Sequence, residues 1–269
     1  MTTFFGELAG DLSGTDDGRP PLVLVHGLTF DRASWHPALA ALEPLDPGRR
    51  VLSLDLPGHG DSPPQPSYRM EETVARVHAA VEHAGLVAPV LVGHSIGGVI
   101  ATVYAVEHPV TGVVNVDQSL QVEPFAAQLQ SIAGVPFDQV WPIFWASMEI
   151  DRLPEEAQRL LEERSTPTAE LVLGYWADLR ERPEEMVAWA RQGRAALHAR
   201  QTPYEVVFGR PSDVEREWFA RELPHAVVTD LPGCGHFPQL AEPEVFAERL
   251  AATTSWAQAP WSVPVAAVR

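Results

Sequence analysis

Cysteine is almost absent from this chain: 269 residues carry one, Cys234. No intrachain disulfide can form, and a reducing compartment suits such a protein. Long apolar runs are missing too, and none approaches the roughly 18 residues that a bilayer-spanning helix needs. The first residues, Met1-Thr2-Thr3-Phe4-Phe5-Gly6-Glu7, have neither a basic stretch nor a long apolar core, so no signal peptide is expected. Basic residues are scarce: 19 Lys and Arg face 36 Asp and Glu, for a formal charge of −17. That balance argues against nucleic acid and anionic membranes as partners. The histidines show no metal-ligand spacing. These absences together predict a cytoplasmic protein acting on a small molecule, with no metal and no cofactor, and with self-association left open.

What is present is an alternation of short apolar runs with helical patterns. Phe4 to Leu12 and the Asp16-Asp17-Gly18 turn read as a hairpin. Leu22–Val25, Val51–Leu54, Val90–Val92 and Gly112–Val116 read as buried strands. Between them, Ala33–Leu42 and Met70–His83 read as helices, the second with apolar residues at 70, 74, 77 and 81. Such alternation signals an α/β protein with a mostly parallel sheet and helices on both faces.

The rhythm breaks after Asp117. Residues 118–202 read as helices and loops and hold four of the eight tryptophans: Trp141, Trp145, Trp176 and Trp189. The sheet resumes at Tyr204–Phe208 and Ala226–Thr229, followed by a last helix, Pro243–Ala252. The chain thus divides into a core, 1–117 with 203–255, a helical cap or lid over 118–202 inserted after the sixth strand, and a loosely docked tail over 256–269. No internal repeat is visible.

The most informative stretch is Gly93-His94-Ser95-Ile96-Gly97. It lies between a strand and a helical pattern, so Ser95 stands at a sharp turn with its hydroxyl pushed outward. Side chains at 93 or 97 would collide with the neighbouring strand or helix.

Three more motifs stand in order around it: His26-Gly27 after a strand with Trp35 beyond, Asp55-Leu56-Pro57-Gly58-His59-Gly60-Asp61-Ser62 after the next, and Gly235-His236-Phe237 near the end. With these, the chain resembles the α/β-hydrolase superfamily over about 20–117 and 203–252. The resemblance implies that the N–H groups of Leu28 and Ile96 form an oxyanion hole. The imidazole of His26 and the Asp55–Ser62 stretch are expected to be structural, His94 to pack, and Cys234 to be a small buried residue. Serine needs a base, and the base needs an orienting acid. His236, in a Gly-flanked loop after the last strand, is the expected base.

The acid is ambiguous. The commonest family position follows strand 204–208, where the chain reads Gly209-Arg210-Pro211-Ser212-Asp213. Asp213 falls one residue late, and Ser212 with Glu215 also reads as a capping box that would make Asp213 a helix-start residue. The alternative is Asp117, at the carboxyl end of the strand beside the nucleophile strand. A subset of the superfamily, including haloalkane dehalogenases and some lactonases, takes its acid there.

The reading is therefore a serine hydrolase for an ester, lactone or related acyl bond, with Ser95, His236 and Asp117 or Asp213 in the catalytic roles. C–C bond hydrolysis and cofactor-free perhydrolase or haloperoxidase chemistry are rivals within the same fold. A small-molecule sensor with slow turnover is the rival of another class. Trp141, Trp145, Trp176 and Phe237 are the expected pocket residues. An aromatic roof without a cationic clamp would favour medium-sized apolar or aromatic substrates.

Overall fold

The computed structural model describes residues 2–210 and 212–256. The expected tail, beyond Trp256, lies outside the described residues. Strands β1 (Thr3–Phe5) and β2 (Leu8–Ser13) form the first hairpin. Its turn falls at Gly6, where φ is +61°, and not at Asp16–Gly18, which instead precedes the next strand. Six strands follow: β3 (Leu22–Val25), β4 (Val51–Leu54), β5 (Val90–His94), β6 (Gly112–Val116), β7 (Tyr204–Phe208) and β8 (Val227–Asp230). The sheet order is β1-β2-β4-β3-β5-β6-β7-β8. β3 to β8 run parallel, while β2 pairs antiparallel with β1 and β4.

The strand runs are Val- and Leu-rich because both faces are covered. Leu22, Leu24, Val90, Val92 and Val114 point to one face, around Trp35 and Phe246. There α1 (His36–Leu42) packs against α12 (Pro243–Ala252), which follows the short α11 (Pro238–Ala241). Val23, Val25, Leu91, Val113 and Val206 point to the other face. That side is covered by α2 (Met70–His83), α3 (Ile96–Glu107) and α10 (Asp213–Glu222). In α2 the apolar spacing buries Val74, Val77 and Val81, each worth roughly 1.5–3 kcal/mol of burial. Glu71 and Glu72 in its first turn suit the positive end of the helix dipole.

Between β6 and β7 lie α4 (Val122–Ser131), α5 (Phe137–Ser147), α6 (Glu155–Arg164), α7 (Ala169–Tyr175), α8 (Ala177–Glu181) and α9 (Pro183–Arg200). No strand occurs there among the described residues. α9 packs on both α3 and α4. The aromatic side chains of this segment meet one another: the Trp176 ring lies 5.6 Å from Phe125 and 4.8 Å from Phe144. Among the described residues no helix is long and apolar enough to cross a membrane.

The parallel register sets the carboxyl ends side by side. Val25 pairs with Gly93, His94 with Val116, and Val116 with Val207. The residues just beyond those ends, His26 to Leu28, Ser95, Asp117 and Gly209, therefore converge on one edge of the sheet. In open α/β sheets this edge is where ligands bind.

Candidate active site

Ser95 sits between β5 and α3 with φ +53° and ψ −125°, a conformation that costs a non-glycine residue of order 1–3 kcal/mol. Two glycines make the turn possible. A Cβ on Gly97 would lie 2.2 Å from the Val25 carbonyl oxygen, and one on Gly93 would lie 2.0 Å from the Gly97 oxygen. Neither space admits even a methyl group. The turn is pinned by the Ser95 N–H, which donates to the Val116 carbonyl at 3.0 Å, and by the Gly98 N–H, which donates to the Ser95 carbonyl at 2.7 Å.

His236 lies in the loop after β8, and its Nδ1 is 2.7 Å from Asp117 Oδ2. Asp117 is itself strained, with φ +48°, and its N–H donates to the Val207 carbonyl at 2.8 Å. Its other oxygen accepts the Gly209 N–H at 2.9 Å, and Arg210 Nη2 stands 3.3 Å from Oδ2. Burial pushes this carboxyl up. The His236 hydrogen bond, the nearby positive charges and the Gly209 N–H outweigh it and hold the acid below the usual carboxylate range. Asp213 is elsewhere. It is the first residue of α10, its side chain is 91% exposed, and it pairs with Arg216 at 3.5 Å. Ser212 Oγ accepts the Glu215 N–H, the capping arrangement read in the sequence.

Ser95, Ile96, Leu28, Asp117 and His236 all line one cavity of about 380 Å³. No hydrogen bond joins the Ser95 hydroxyl to His236, and such contacts often tighten only with substrate bound. Among the described residues, the N–H groups of Leu28 and Ile96 donate to no protein acceptor. A carbonyl oxygen placed between them would find two donors.

Trp141 and Trp176 line the cavity, as do Phe125, Phe144 and Trp189. Trp145 and Phe237 do not. Trp145 packs against Phe30, 6.1 Å between ring centroids, in a separate cluster with Leu153 and Leu161. Phe237 is fully buried beneath the histidine loop, edge-on to Phe30 at 5.4 Å. Counting aromatics does not reveal which face of a helix or loop they take.

Sequence reasoning expected His94 only to pack and did not single out Arg210 or Arg194. His94 is buried, and its Nε2–H donates to the His236 carbonyl at 2.7 Å. Burial and the facing His236 bring its pKa down to about 3, so it stays neutral. Arg210 and Arg194 line the cavity, so the aromatic roof is not free of cations. Arg210 also donates to the Ser147 carbonyl at 2.8 Å, tying the end of α5 to the site. Its signal was its place, two residues beyond β7 at the binding edge.

The motifs outside the pocket hold loops. His26 Nε2 accepts the Leu56 N–H and His59 Nε2 accepts the Thr29 N–H, each at 2.9 Å. Asp55, fully buried, accepts the N–H groups of Arg32 and Asp61 and pairs with the Arg32 guanidinium. Cys234 is buried, with its thiol pushed up to about 11 by burial and by the charges of Glu242 and Asp117. No cluster of three or more His, Cys, Asp or Glu able to hold a metal occurs among the described residues.

The profile of the alpha/beta hydrolase family matches residues 22–249. The chain belongs to that family. It is 27% identical over 225 residues to the 2-succinyl-6-hydroxy-2,4-cyclohexadiene-1-carboxylate synthase of Enterobacter sp. (strain 638), covering 77% of this chain and 81% of that protein. It is 37% identical over 102 residues to the sn-1-specific diacylglycerol lipase ABHD11 of Mus musculus, covering 38% of this chain. That match spans only 33% of the lipase, so the chain aligns with about a third of that relative's length. Among solved structures, Est816, an N-acyl homoserine lactone degrading enzyme, superposes with a TM-score of 0.71 at 22% identity, covering 93% of this chain and 98% of that one.

Proposed function

We propose that the chain is a serine hydrolase that cleaves an ester, lactone or related acyl bond of a small, largely apolar substrate. One observation carries the reading: a strained serine and a histidine paired with a buried carboxylate open onto the same apolar cavity. In this scheme Ser95 Oγ attacks the substrate carbonyl while His236 Nε2 takes the hydroxyl proton. Asp117 holds the imidazole in the tautomer with Nδ1–H and stabilises it once protonated. The developing oxyanion is held by the Leu28 and Ile96 N–H groups, each such donor being worth about 3 kcal/mol of barrier. The imidazolium returns its proton to the leaving group, and water activated by the same base frees the acyl group.

Residues 118–202 act as a cap over Ser95, presenting Trp141, Phe144 and Trp176 to the substrate. The lipase and lactone-degrading relatives point to carboxylic ester or lactone bonds. The test is a fluorophosphonate label followed by a panel of esters and lactones. Labelling at Ser95, with turnover lost in Ser95→Ala while the fold persists, is the expected result. Near wild-type turnover in that variant would end the assignment. Tight binding of a cavity ligand with negligible cleavage of the whole panel would favour a sensor.

A further inference from the structure

Two helices, α3 and α9, line the cavity. Ser95 and one stripe of α3 line it: Ile96, Val99, Thr102, Val103 and Val106. These positions recur every three or four residues, one face of a helix. Across the cavity, α9 presents Trp189, Ala190, Gly193 and Arg194 in the same spacing. The helices close on each other where a Cβ on Gly193 would meet Val106 at 3.1 Å. Ser95 therefore stands at one end and Arg194 near the other. From Ser95 to Val103 the rise along the helix is about 12 Å, roughly an extended eight-carbon chain of about 9 Å plus a hydrogen bond of about 3 Å from an oxygen near its end.

Arg194 is an unusual residue for that end. It is 7% exposed, its guanidinium carbon lies 4.9 Å over the Trp218 ring, and Nη2 is 3.4 Å from Glu222 Oε2. Nε is buried without a hydrogen-bond partner. Buried guanidinium N–H groups are costly to leave unpaired and gain from any acceptor that reaches them. The Thr102 hydroxyl, on the same cavity wall as Val99 and Val103, is already engaged, donating to the Gly98 carbonyl and meeting the Tyr204 hydroxyl. Glu222 already balances the Arg194 charge, so a second carboxylate there would be repelled, whereas a neutral oxygen would not.

We propose that Arg194 is a specificity residue, and that the chain takes medium-length acyl groups bearing a neutral oxygen acceptor, a keto or hydroxyl oxygen, at the far end from the scissile carbonyl. The proposal rests on the reading of Ser95 as the attacking residue for the position of that carbonyl. Its test is a binding measurement that needs no turnover. Methyl octanoate and its 3-oxo, 5-oxo and 7-oxo derivatives are titrated into the Ser95→Ala chain by calorimetry. The 7-oxo ester should bind about tenfold more tightly than methyl octanoate, the scale of one hydrogen bond to a charged donor. The 3-oxo ester should gain nothing, and adding Arg194→Met should erase the 7-oxo advantage. Glu222→Gln keeps the guanidinium and should keep the advantage, so it serves as the second variant should Arg194→Met not fold. Equal affinity across the series, or an advantage that survives Arg194→Met or disappears in Glu222→Gln, would overturn the proposal. Arg194-dependent binding without cleavage of the same esters by the unmutated chain would instead sink the hydrolase reading alone.

Discussion

His94 and His236 are joined back to front: the Nε2–H of His94 donates to the main-chain carbonyl of His236 at 2.7 Å, and their rings tilt against each other at 4.7 Å. The residue beside the serine thus holds the loop that carries the candidate base. His94→Phe keeps a ring but removes the donor. We expect kcat to fall by about ten- to a hundredfold, the cost of a small misplacement of a reacting group, with KM changed less. The pH profile should keep its shape, because His94 is neutral down to about pH 3. Unchanged kcat would show that the bond only packs the loop.

Asp117→Asn should lower kcat by about 10⁴-fold, the scale seen when a serine-protease histidine is held in the wrong tautomer. Asp213→Asn, on the exposed start of α10, should leave kcat within a factor of about two. Steady-state kinetics on an activated ester checks both, and the reverse ranking would move the acid to Asp213.

The depressed Asp117 carboxyl has a consequence for acid stability. A folded-state value below the unfolded value of about 3.9 stabilises the fold above that pH. The stabilisation is lost as pH falls through the depressed folded value. Arg210→Met removes one cause of the depression. The melting temperature of this variant should drop relative to the parent near pH 6, and the gap should narrow as pH falls through the depressed folded value and the carboxyl protonates in both. A gap that stays constant with pH would mean that the Arg210 contact with Ser147 matters instead.

Gly97→Ala forces a methyl group to within 2.2 Å of a strand carbonyl. We expect a loss of more than about 3 kcal/mol in denaturant unfolding, or no folded protein. A tolerated alanine would mean that the turn can widen.

Cys234 should resist iodoacetamide in the native chain at pH 8, because its thiol is buried and raised to about 11. In guanidinium chloride it should alkylate freely. Rapid native labelling, read by mass spectrometry, would contradict that environment.

The strands and the serine turn were legible because local rules fix them. Val-Leu runs bounded by Gly and Pro make buried strands, and only glycine fits at 93 and 97. The acid stayed open in the sequence because Asp117 and Asp213 both follow strands; the deciding bond to His236 spans 119 positions. Pocket membership was half legible. Trp141 and Trp176 face the cavity while Trp145 and Phe237 turn into the core, and the choice depends on helix rotation set by packing across the whole segment. Arg194 gave no local signal at all, since an arginine in the middle of a helix usually lies on its solvated face.

The two hydrogen bonds that hold His236 span 119 and 142 positions of chain. A nascent chain emerging from the ribosome therefore carries its serine turn long before its histidine loop exists. Through most of synthesis the strained turn lacks its candidate base. In refolding, the same separation would make recovery of the proposed activity a clock for the final docking event, expected to lag behind the return of helical signal.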